Sequence, residues 1–275
     1  MEKLPRRLTT LVTRPAVAVL AVGLVMAGAG TAAAKDWLPI FQTEQVAPVS
    51  LSAADLVTLP DLSAYGDVKV TGAHGVREVK DATAAGEQSG LDVPTVSKLP
   101  SGVTGEPSYQ VGGKVSATFT FSTAKATKAA GDKLPPAPKG LDGQPIRLDA
   151  GPGVGQVWKS SSGMPALLVG RAVAPTAHSS GIAFATARDY LLSLPGIPAE
   201  VAAQLEGADG STLPLPIPAD RVTSSTTKVN GHQATVLVTR DRSISAVVWV
   251  SDGVVTAVAG SLSKTEVLDV ARSLR

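Results

Sequence analysis

The residues of this chain that could do chemistry are few and far apart. Its three histidines, His74, His178 and His232, lie in separate segments, and each lacks a second histidine nearby. Zinc and other transition metals need ligands clustered at short spacing. The chain has no cysteine, which excludes disulfides, thiolate catalysis, iron–sulfur clusters and a lipidated cysteine. We therefore predict no metal site, and nothing in the sequence indicates another cofactor.

Two short motifs have the form of catalytic or phosphate-binding segments. Ser261 and Lys264 match S-x-x-K, in which a lysine one helical turn away activates the serine, but the companion S-D-N and K-T-G segments are missing. The same residues also fit the start of a helix. The GPGVG run at residues 151–155 has the glycine density of a phosphate loop, but no Lys-Ser/Thr follows it. Asp241 and Asp252 fall in predicted turns with no paired carboxylate. We predict no catalytic residue, no cofactor-binding residue and no enzyme activity.

The composition indicates a folded domain rather than a disordered chain. The protein has 275 residues, of which 44% are apolar and only 4% aromatic, so its core must consist mainly of small aliphatic side chains. The formal net charge is +2, and four of the basic residues lie within the first fourteen positions. Because no basic stripe remains in the rest of the chain, we predict that the protein does not bind nucleic acid.

An uncharged apolar segment near the N-terminus indicates a membrane anchor. Residues 15–34 carry no charge, and about twenty helical residues just cross a hydrocarbon core of about 30 Å. Lys3, Arg6, Arg7 and Arg14 precede this segment, so the N-terminus is expected in the cytoplasm and the rest of the chain outside. The predicted parts are a basic tail (1–14), a transmembrane signal-anchor (15–34), a juxtamembrane stalk (35–66) and an extracytoplasmic α+β domain (67–275).

A cleaved secretory signal is the alternative interpretation of the same segment. The three alanines at 32–34 fit a small-x-small cleavage site, and cleavage near Ala34 would release a secreted protein. Trp37 and Phe41 favour the anchor, because aromatic side chains just beyond a span often lie at the headgroup level. The two aromatic residues could equally pack on the folded domain. The choice between anchor and cleaved signal stays open.

Periodicity predicts mixed strands and helices up to about residue 207. Ser52 can cap a short docking helix within the stalk, and Gly90 can end a helix that begins near residue 76. Gly112 and Gly113 interrupt a strand and indicate a hairpin or a bulge. The predicted strands cover residues 68–72, 109–122, 146–150, 154–160 and 166–175; the predicted helices cover residues 76–90, 182–194 and 195–207, with a short helix or loop at 125–131.

The C-terminal segment has the clearest pattern. Residues 223–260 alternate over four strands, with hairpin turns at Asn230 and Gly231 and at Asp252 and Gly253. The final helix opens with a capping box, in which a serine and a glutamate three residues later satisfy each other's backbone groups. An antiparallel meander followed by an amphipathic helix is typical of an α+β unit with the helix on one face of the sheet. The capping box consists of Ser263 and Glu266, and the apolar stripe of the helix consists of Val267, Val270, Ala271 and Leu274.

The C-terminal residues resemble a family of exported bacterial domains of unknown function. Members of that family end with a Trp-containing strand, an Asp-Gly turn, a second strand and a helix with a terminal Ala-x-Ser-Leu. Leu99, Pro100 and Gly102 match the LP-x-G part of the family's opening, together with Val93 and Pro94 and the strand at 109–121, so the resemblance covers residues 90–275. The matching C-terminal residues are Trp249, Asp252, Gly253, Gly260, Leu262, Ser263, Glu266, Ala271 and Leu274.

This resemblance implies the lipoprotein-carrier and sigma-regulator fold, a curved antiparallel sheet with helices on its concave side. Some members follow a zinc-binding anti-sigma module and a membrane span. This chain departs from that pattern, because its fourteen-residue tail contains neither Cys nor His. The composition is also similar to that of actinobacterial membrane-anchored proteins.

These observations lead to two expectations about function. The first is a membrane-anchored, extracytoplasmic, non-catalytic sensor or interaction domain that binds a protein or an envelope lipid on its sheet. The second is a lipid or lipoprotein carrier that holds an acyl chain against an apolar concave sheet face. An apolar cavity between sheet and helices would favour the carrier.

Overall fold

The computed structural model describes residues 38–51, 62–72, 75–160, 165–195, 197, 199–206 and 211–275. The predicted tail, membrane span and Ser52 helix lie outside these residues, as do Trp37 and His74. Within the described ranges, no helix has the length and hydropathy needed to cross a membrane.

The described residues form fifteen strands, five α-helices and two short 3-10 helices at Leu62–Ala64 and Gly131–Lys133. The strands are β1 (Leu38–Gln42), β2 (Gln45–Leu51), β3 (Gly66–Gly72), β4 (Val76–Val79), β5 (Ser108–Gly112), β6 (Val115–Phe121), β7 (Pro145–Ala150), β8 (Gly153–Lys159), β9 (Pro165–Val173), β10 (Thr176–Ser179), β11 (Thr212–Pro218), β12 (Val222–Val229), β13 (His232–Thr239), β14 (Ser245–Ser251) and β15 (Val254–Gly260). The helices are α1 (Ala82–Ser89), α2 (Thr123–Ala130), α3 (Phe184–Leu192), α4 (Ala199–Glu206) and α5 (Lys264–Ser273).

Two antiparallel sheets dominate the fold. Sheet I has five strands in the order β1-β10-β7-β6-β3, and sheet II has eight in the order β12-β13-β14-β15-β9-β8-β5-β4. Strands β2 and β11 form a separate parallel pair. The prediction of an antiparallel sheet is therefore confirmed. Residues 38–51, part of the predicted stalk, form β1 and β2 and belong to the folded domain.

The two sheets are the arms of one sharply bent sheet. Each of four strands of sheet I is joined by only two or three residues to a strand of sheet II; the joined pairs are β3 and β4, β5 and β6, β7 and β8, and β9 and β10. The order β10-β7-β6-β3 in sheet I therefore matches the order β9-β8-β5-β4 in sheet II. Gly112 and Gly113 therefore mark neither a hairpin nor a simple bulge, and the GPGVG run at 151–155 is no reversal between paired strands. Both segments lie where a strand leaves sheet I and enters sheet II.

Glycine and proline residues line the bend. Gly72 has a φ of 113°, and a Cβ atom there would lie 2.2 Å from the carbonyl oxygen of Lys114, so only glycine fits. Pro152 and Pro175 lack the N–H that a continuing ladder needs. Thr43, which is buried, donates its hydroxyl hydrogen to the Pro175 carbonyl oxygen at 2.7 Å and ties the end of β1 to the bend.

Sheet II is buried on both faces along β14. Because side chains alternate, Val247 and Trp249 face α5, whereas Val248 and Val250 face the β2–β11 pair. Across that second face, Thr235 donates its hydroxyl hydrogen to the Val46 carbonyl oxygen at 2.8 Å. On the far side of β2, Val49 packs against Ile197 and Leu205 next to and within α4. Helix α5 thus packs directly on one face of this arm, whereas the β2–β11 pair covers the other face and carries α4 on its far side.

The hairpin and cap predictions for the C-terminal segment are confirmed. Asn230 and Asp252 both have positive φ, as tight two-residue turns require. Ser263 and Glu266 form both hydrogen bonds of the capping box at the start of α5.

The helix predicted from residue 76 begins later than expected. Residues 76–79 pair with β5 as strand β4, and α1 starts only after Asp81, whose side chain accepts a hydrogen bond from the Ala84 N–H. Gly90 ends α1 in the left-handed conformation, as predicted.

Sheet I has one apolar and one polar face. Helices α2 and α3 cover the apolar face, where Phe121 meets Tyr190 edge-on with ring centroids 5.3 Å apart. Phe41, expected at the membrane surface, is instead 6% exposed and lies 5.0 Å from the ring of Phe184. The aromatic argument for a membrane interface therefore does not hold for Phe41.

Candidate functional site

A group of charged and hydroxyl side chains lies on the polar face of sheet I. Arg147 and Asp149, two residues apart on β7, point to this face, and their register partners on β6 and β10 point with them. The buried apolar side chains associated with this sheet lie on its other face. We call this group the Asp149 cluster; it consists of Lys114, Ser116, Arg147, Asp149, Thr176 and His178.

The carboxylate of Asp149 is the centre of the cluster. Ser116 donates its hydroxyl hydrogen to Oδ1. Around Oδ2 lie an Arg147 guanidinium nitrogen at 3.1 Å, the His178 Nε2 at 3.5 Å and the Lys114 Nζ at 3.8 Å. The side chain of Asp149 is only 9% exposed. A carboxylate this buried needs its partners, because an isolated charge removed from water is costly.

The cluster carries more positive than negative charge. One carboxylate faces two permanent cations, so the formal sum is +1 before any charge on His178 is counted. The side chains of Lys114 and Arg147 are 59% and 32% exposed, so both can still reach a group outside the protein. Guanidinium groups bind carboxylates and phosphates through paired hydrogen bonds. The arrangement therefore suits recognition of an anionic group.

The geometry of the cluster differs from that of a nucleophilic triad. In a triad the serine hydroxyl bonds to a histidine, and the carboxylate orients that histidine from the other side. Here the Ser116 hydroxyl bonds to Asp149, and the His178 Nε2 lies 3.2 Å from the Thr176 hydroxyl. The hydrogen bonds thus join Ser116 to the carboxylate and His178 to a threonine, so this arrangement is not the serine–histidine–carboxylate chain of a triad.

The sequence indicated only part of this cluster. The sequence shows His178 only as an isolated histidine, but β10 pairs directly with β7 and this pairing brings His178 to Asp149. Asp149 and Arg147 were read only as part of a strand. The one local signal is their two-residue spacing, which puts both charges on the same face.

The other residues with possible chemistry lie apart from the cluster. His232 is exposed at the start of β13, directly after the hairpin turn as predicted. Lys264 donates to the Ser225 hydroxyl at 3.0 Å, and the backbone N–H of Ser261 bonds to the Ala166 carbonyl oxygen. These contacts fit the role of a helix start, and Asp252 occupies its predicted turn.

Groups with shifted pKa values are dispersed over the described residues. At the start of α2, hydrogen bonds from Thr123 lower the pKa of Asp142. In the β13–β14 turn, hydrogen bonds from Thr239 and Ser243 lower the pKa of Asp241 to about 2. Burial raises the pKa values of Tyr109 and Tyr190, which lie on different arms. These shifts follow from caps, turns and packing, and they give no support to a catalytic cleft.

Two further tests concern metals and lipids. Among the described residues, no three His, Cys, Asp or Glu side chains are grouped so that they could hold a metal ion. An apolar pocket of about 240 Å³ lies between α3 and β7, which is smaller than the ~300–1,000 Å³ of typical ligand sites. Its lining residues are Ile146, Phe184, Ala187, Arg188, Leu191 and Leu192.

Comparisons of this chain with protein-family models, with curated proteins and with solved structures found no match. The resemblance to exported bacterial domains therefore stays a prediction.

Proposed function

We propose that this protein is a membrane-anchored, extracytoplasmic, non-catalytic interaction domain that binds an acidic segment of a protein partner at the Asp149 cluster. The anchor and the orientation rest on residues 15–34 and the basic tail before them. The binding role rests on the excess of partly exposed cations around one buried carboxylate.

The cluster combines one cation that is held closely by Asp149 with a second cation that is farther from it. Asp149 holds Arg147 by an ion pair at 3.1 Å, so this guanidinium is oriented before a partner arrives. Lys114 sits in the bend and contacts Asp149 more loosely, at 3.8 Å. Preorganised charge reduces the entropy lost on binding, and an excess of positive charge speeds the approach of an acidic partner.

The polar surface around the cluster favours a protein segment over a single acyl chain. Register places Lys69, Thr71 and Thr118 on the same face, so hydroxyl groups and a further cation extend across neighbouring strands. The carrier function would instead need a deep apolar cavity, and the pocket beside α3 is small. The carrier remains the alternative prediction.

Site-specific photocrosslinking in host membranes tests the proposal. A photoreactive amino acid at Thr118 is expected to form a discrete adduct whose crosslinked peptide is rich in Asp and Glu. The Arg147→Gln variant should lose most of the adduct, because the oriented guanidinium is gone. Raising the salt concentration should weaken the adduct too, since exposed charges are screened within a Debye length of about 10 Å at 0.1 M.

Lys139→Gln provides the matched control. Lys139 is exposed in the loop after α2, and its substitution removes the same charge away from the cluster. The adduct should persist in this variant. Equal loss in Lys139→Gln and Arg147→Gln, or an adduct with no acidic peptide, would count against binding at the Asp149 cluster.

A further inference from the structure

Strand β12 is an open edge of unusual length. It is the outermost strand of sheet II, pairs only with β13 among the described strands and runs regularly for 8 residues without a bulge. The side chains of residues 223–226 are exposed on both faces. It contains no proline or glycine, and its only charge is Lys228 near one end. An unprotected edge of this kind is a template for another strand.

The other described edges carry the usual protection. Strand β4 has only 4 residues, and two of them, Arg77 and Glu78, are charged. Strand β1 has an irregularity after Pro39. Strand β3 carries Asp67 and Lys69 between two glycines. Strands β2 and β11 contain proline at positions 48, 214, 216 and 218. Because every edge but β12 is short, charged, irregular or rich in proline, the exception indicates an interface.

The hairpin determines which backbone groups of β12 point outward. Val229 and His232 flank a two-residue turn and so form a hydrogen-bonded pair, and such pairs alternate along an antiparallel ladder. The Arg221 carbonyl oxygen accepts from the Arg240 N–H, which confirms that odd-numbered residues bond inward. The outward N–H and C=O groups therefore belong to Val222, Ser224, Thr226 and Lys228.

We propose that β12 pairs with β12 of a second copy of this chain, in antiparallel orientation about a two-fold axis at Ser224. Even-numbered residues then face even-numbered residues, as the outward backbone groups require. Ser224 faces its own copy and Val222 faces Thr226. In a two-fold symmetric interface both copies contribute the same surface patch, and here both contribute β12. The two eight-stranded sheets join into one.

The charges near the ends of β12 favour this register over registers that are shifted by two residues. With the axis at Ser224, Lys228 of each copy lies at the end of the interface where Asp220 of the other stands in the turn before β12. Asp220 contacts Arg221 of its own chain at 3.5 Å, but its side chain is 51% exposed, so it is accessible to Lys228 of the second copy and an ion pair can close each end. A shift by two residues in either direction moves each Lys228 away from Asp220 of the other copy. Opposite charges facing each other across antiparallel strands favour pairing. The uncharged Ser and Thr side chains between them can approach without repulsion.

Disulfide formation by single cysteine variants tests the register, because the natural chain has no cysteine. In the full-length chain in its membranes, mild oxidation of Ser224→Cys should give mostly disulfide-linked dimer. Residues that form a hydrogen-bonded pair have Cα atoms about 5.5 Å apart, within the range of ~4.4–6.8 Å for disulfides. Thr226→Cys is the control on the same strand and face. The two introduced cysteines would be four residues out of register, about 13 Å apart along the strand, so this variant should form little disulfide-linked dimer.

The outcomes separate a fixed interface from chance collisions. Efficient crosslinking of Ser224→Cys together with little crosslinking of Thr226→Cys supports the proposal. Equal crosslinking of both variants, or crosslinking of neither, overturns it. Ser224→Pro adds a second test: it removes an outward N–H at a position where edge strands tolerate proline. This variant should keep the wild-type circular dichroism spectrum but lose the dimer in detergent sedimentation, and an unchanged dimer would also overturn the proposal.

Discussion

At the scale of single residues, Asp149 is the group that satisfies the hydrogen bonds and charges of its neighbours. Asp149→Ala removes the acceptor of the Ser116 hydroxyl and the counter-charge of Arg147. We expect a loss of about 1–3 kcal/mol in the free energy of unfolding, because partly buried polar groups are left without partners. Urea titration followed by circular dichroism measures this loss.

The exposed pair between Asp67 and Lys125 is the control for that prediction. Its distance is 2.9 Å, but the Asp67 side chain is 67% exposed. Asp67→Ala should therefore cost only about 0–1 kcal/mol, as surface ion pairs usually do. Equal costs for the two substitutions would mean that Asp149 behaves as an ordinary surface residue.

Glu266 gives the folded protein a defined acid sensitivity. Hydrogen bonds from the Ser263 hydroxyl and backbone N–H lower the pKa of Glu266 in the folded state. A group whose pKa falls on folding stabilises the protein above the pKa of the unfolded chain, and this contribution disappears as the pH drops through the folded value. The stability advantage of wild type over Glu266→Gln should therefore shrink in acid.

Stability curves of both proteins between neutral and acidic pH measure that advantage. Glu87→Gln, on an exposed position of α1, serves as the control with the same charge change. A constant gap between wild type and Glu266→Gln over the whole pH range would contradict the assigned role of the capping box.

At the scale of elements, the bend between the two arms depends on glycine. Gly72 and Gly140 both have positive φ, 113° and 85°, but only Gly72 is crowded by a backbone oxygen. Gly140→Ala should cost about 1–2 kcal/mol from backbone strain alone. Gly72→Ala must also displace the Lys114 carbonyl, so we expect a clearly larger loss or failure to fold. Similar unfolding free energies for the two variants would show that the bend tolerates a side chain.

The elements that the sequence predicts correctly are those determined by residues close to one another in the chain. The Asn230 and Gly231 turn and the Ser263 cap act within a few positions, and the structure has both. The helix predicted from residue 76 began too early because its first four residues find partners on β5, far along the chain. Tertiary pairing there outweighed the helical pattern.

The bend and the Asp149 cluster were not predictable from one sequence. Glycine and proline at 112–113 and 151–152 indicate a change of direction, but they do not say whether the chain reverses or passes into a second sheet. Only the shared strand order of the two arms distinguishes these cases. Likewise, Ser116 and His178 meet Asp149 through register across three strands, which no local spacing encodes.

At the scale of the whole molecule, the fold separates its surfaces by role. Sheet II is covered on both faces near β14 and leaves β12 as its open edge, whereas sheet I keeps one polar face. A partner bound at the Asp149 cluster and a second copy paired at β12 would therefore occupy different arms. The two proposals can fail independently, because substitutions at Arg147 and at Ser224 lie on different sheets.

The proposal that this molecule is attached to a membrane rests on the length of its apolar segment and on the charges before it. Since Phe41 packs against Phe184, aromatic anchoring beyond the span has weaker support than the sequence indicated. We still expect an uncleaved anchor, because the segment from 15 to 34 is long enough to cross the bilayer and follows four basic residues. Wild type and Ala34→Leu, which blocks a small-x-small cleavage site, should then show the same intact mass and the same membrane fraction. If the wild type is instead shorter and released while Ala34→Leu stays in the membrane, the segment is a cleaved signal and the domain works as a secreted protein.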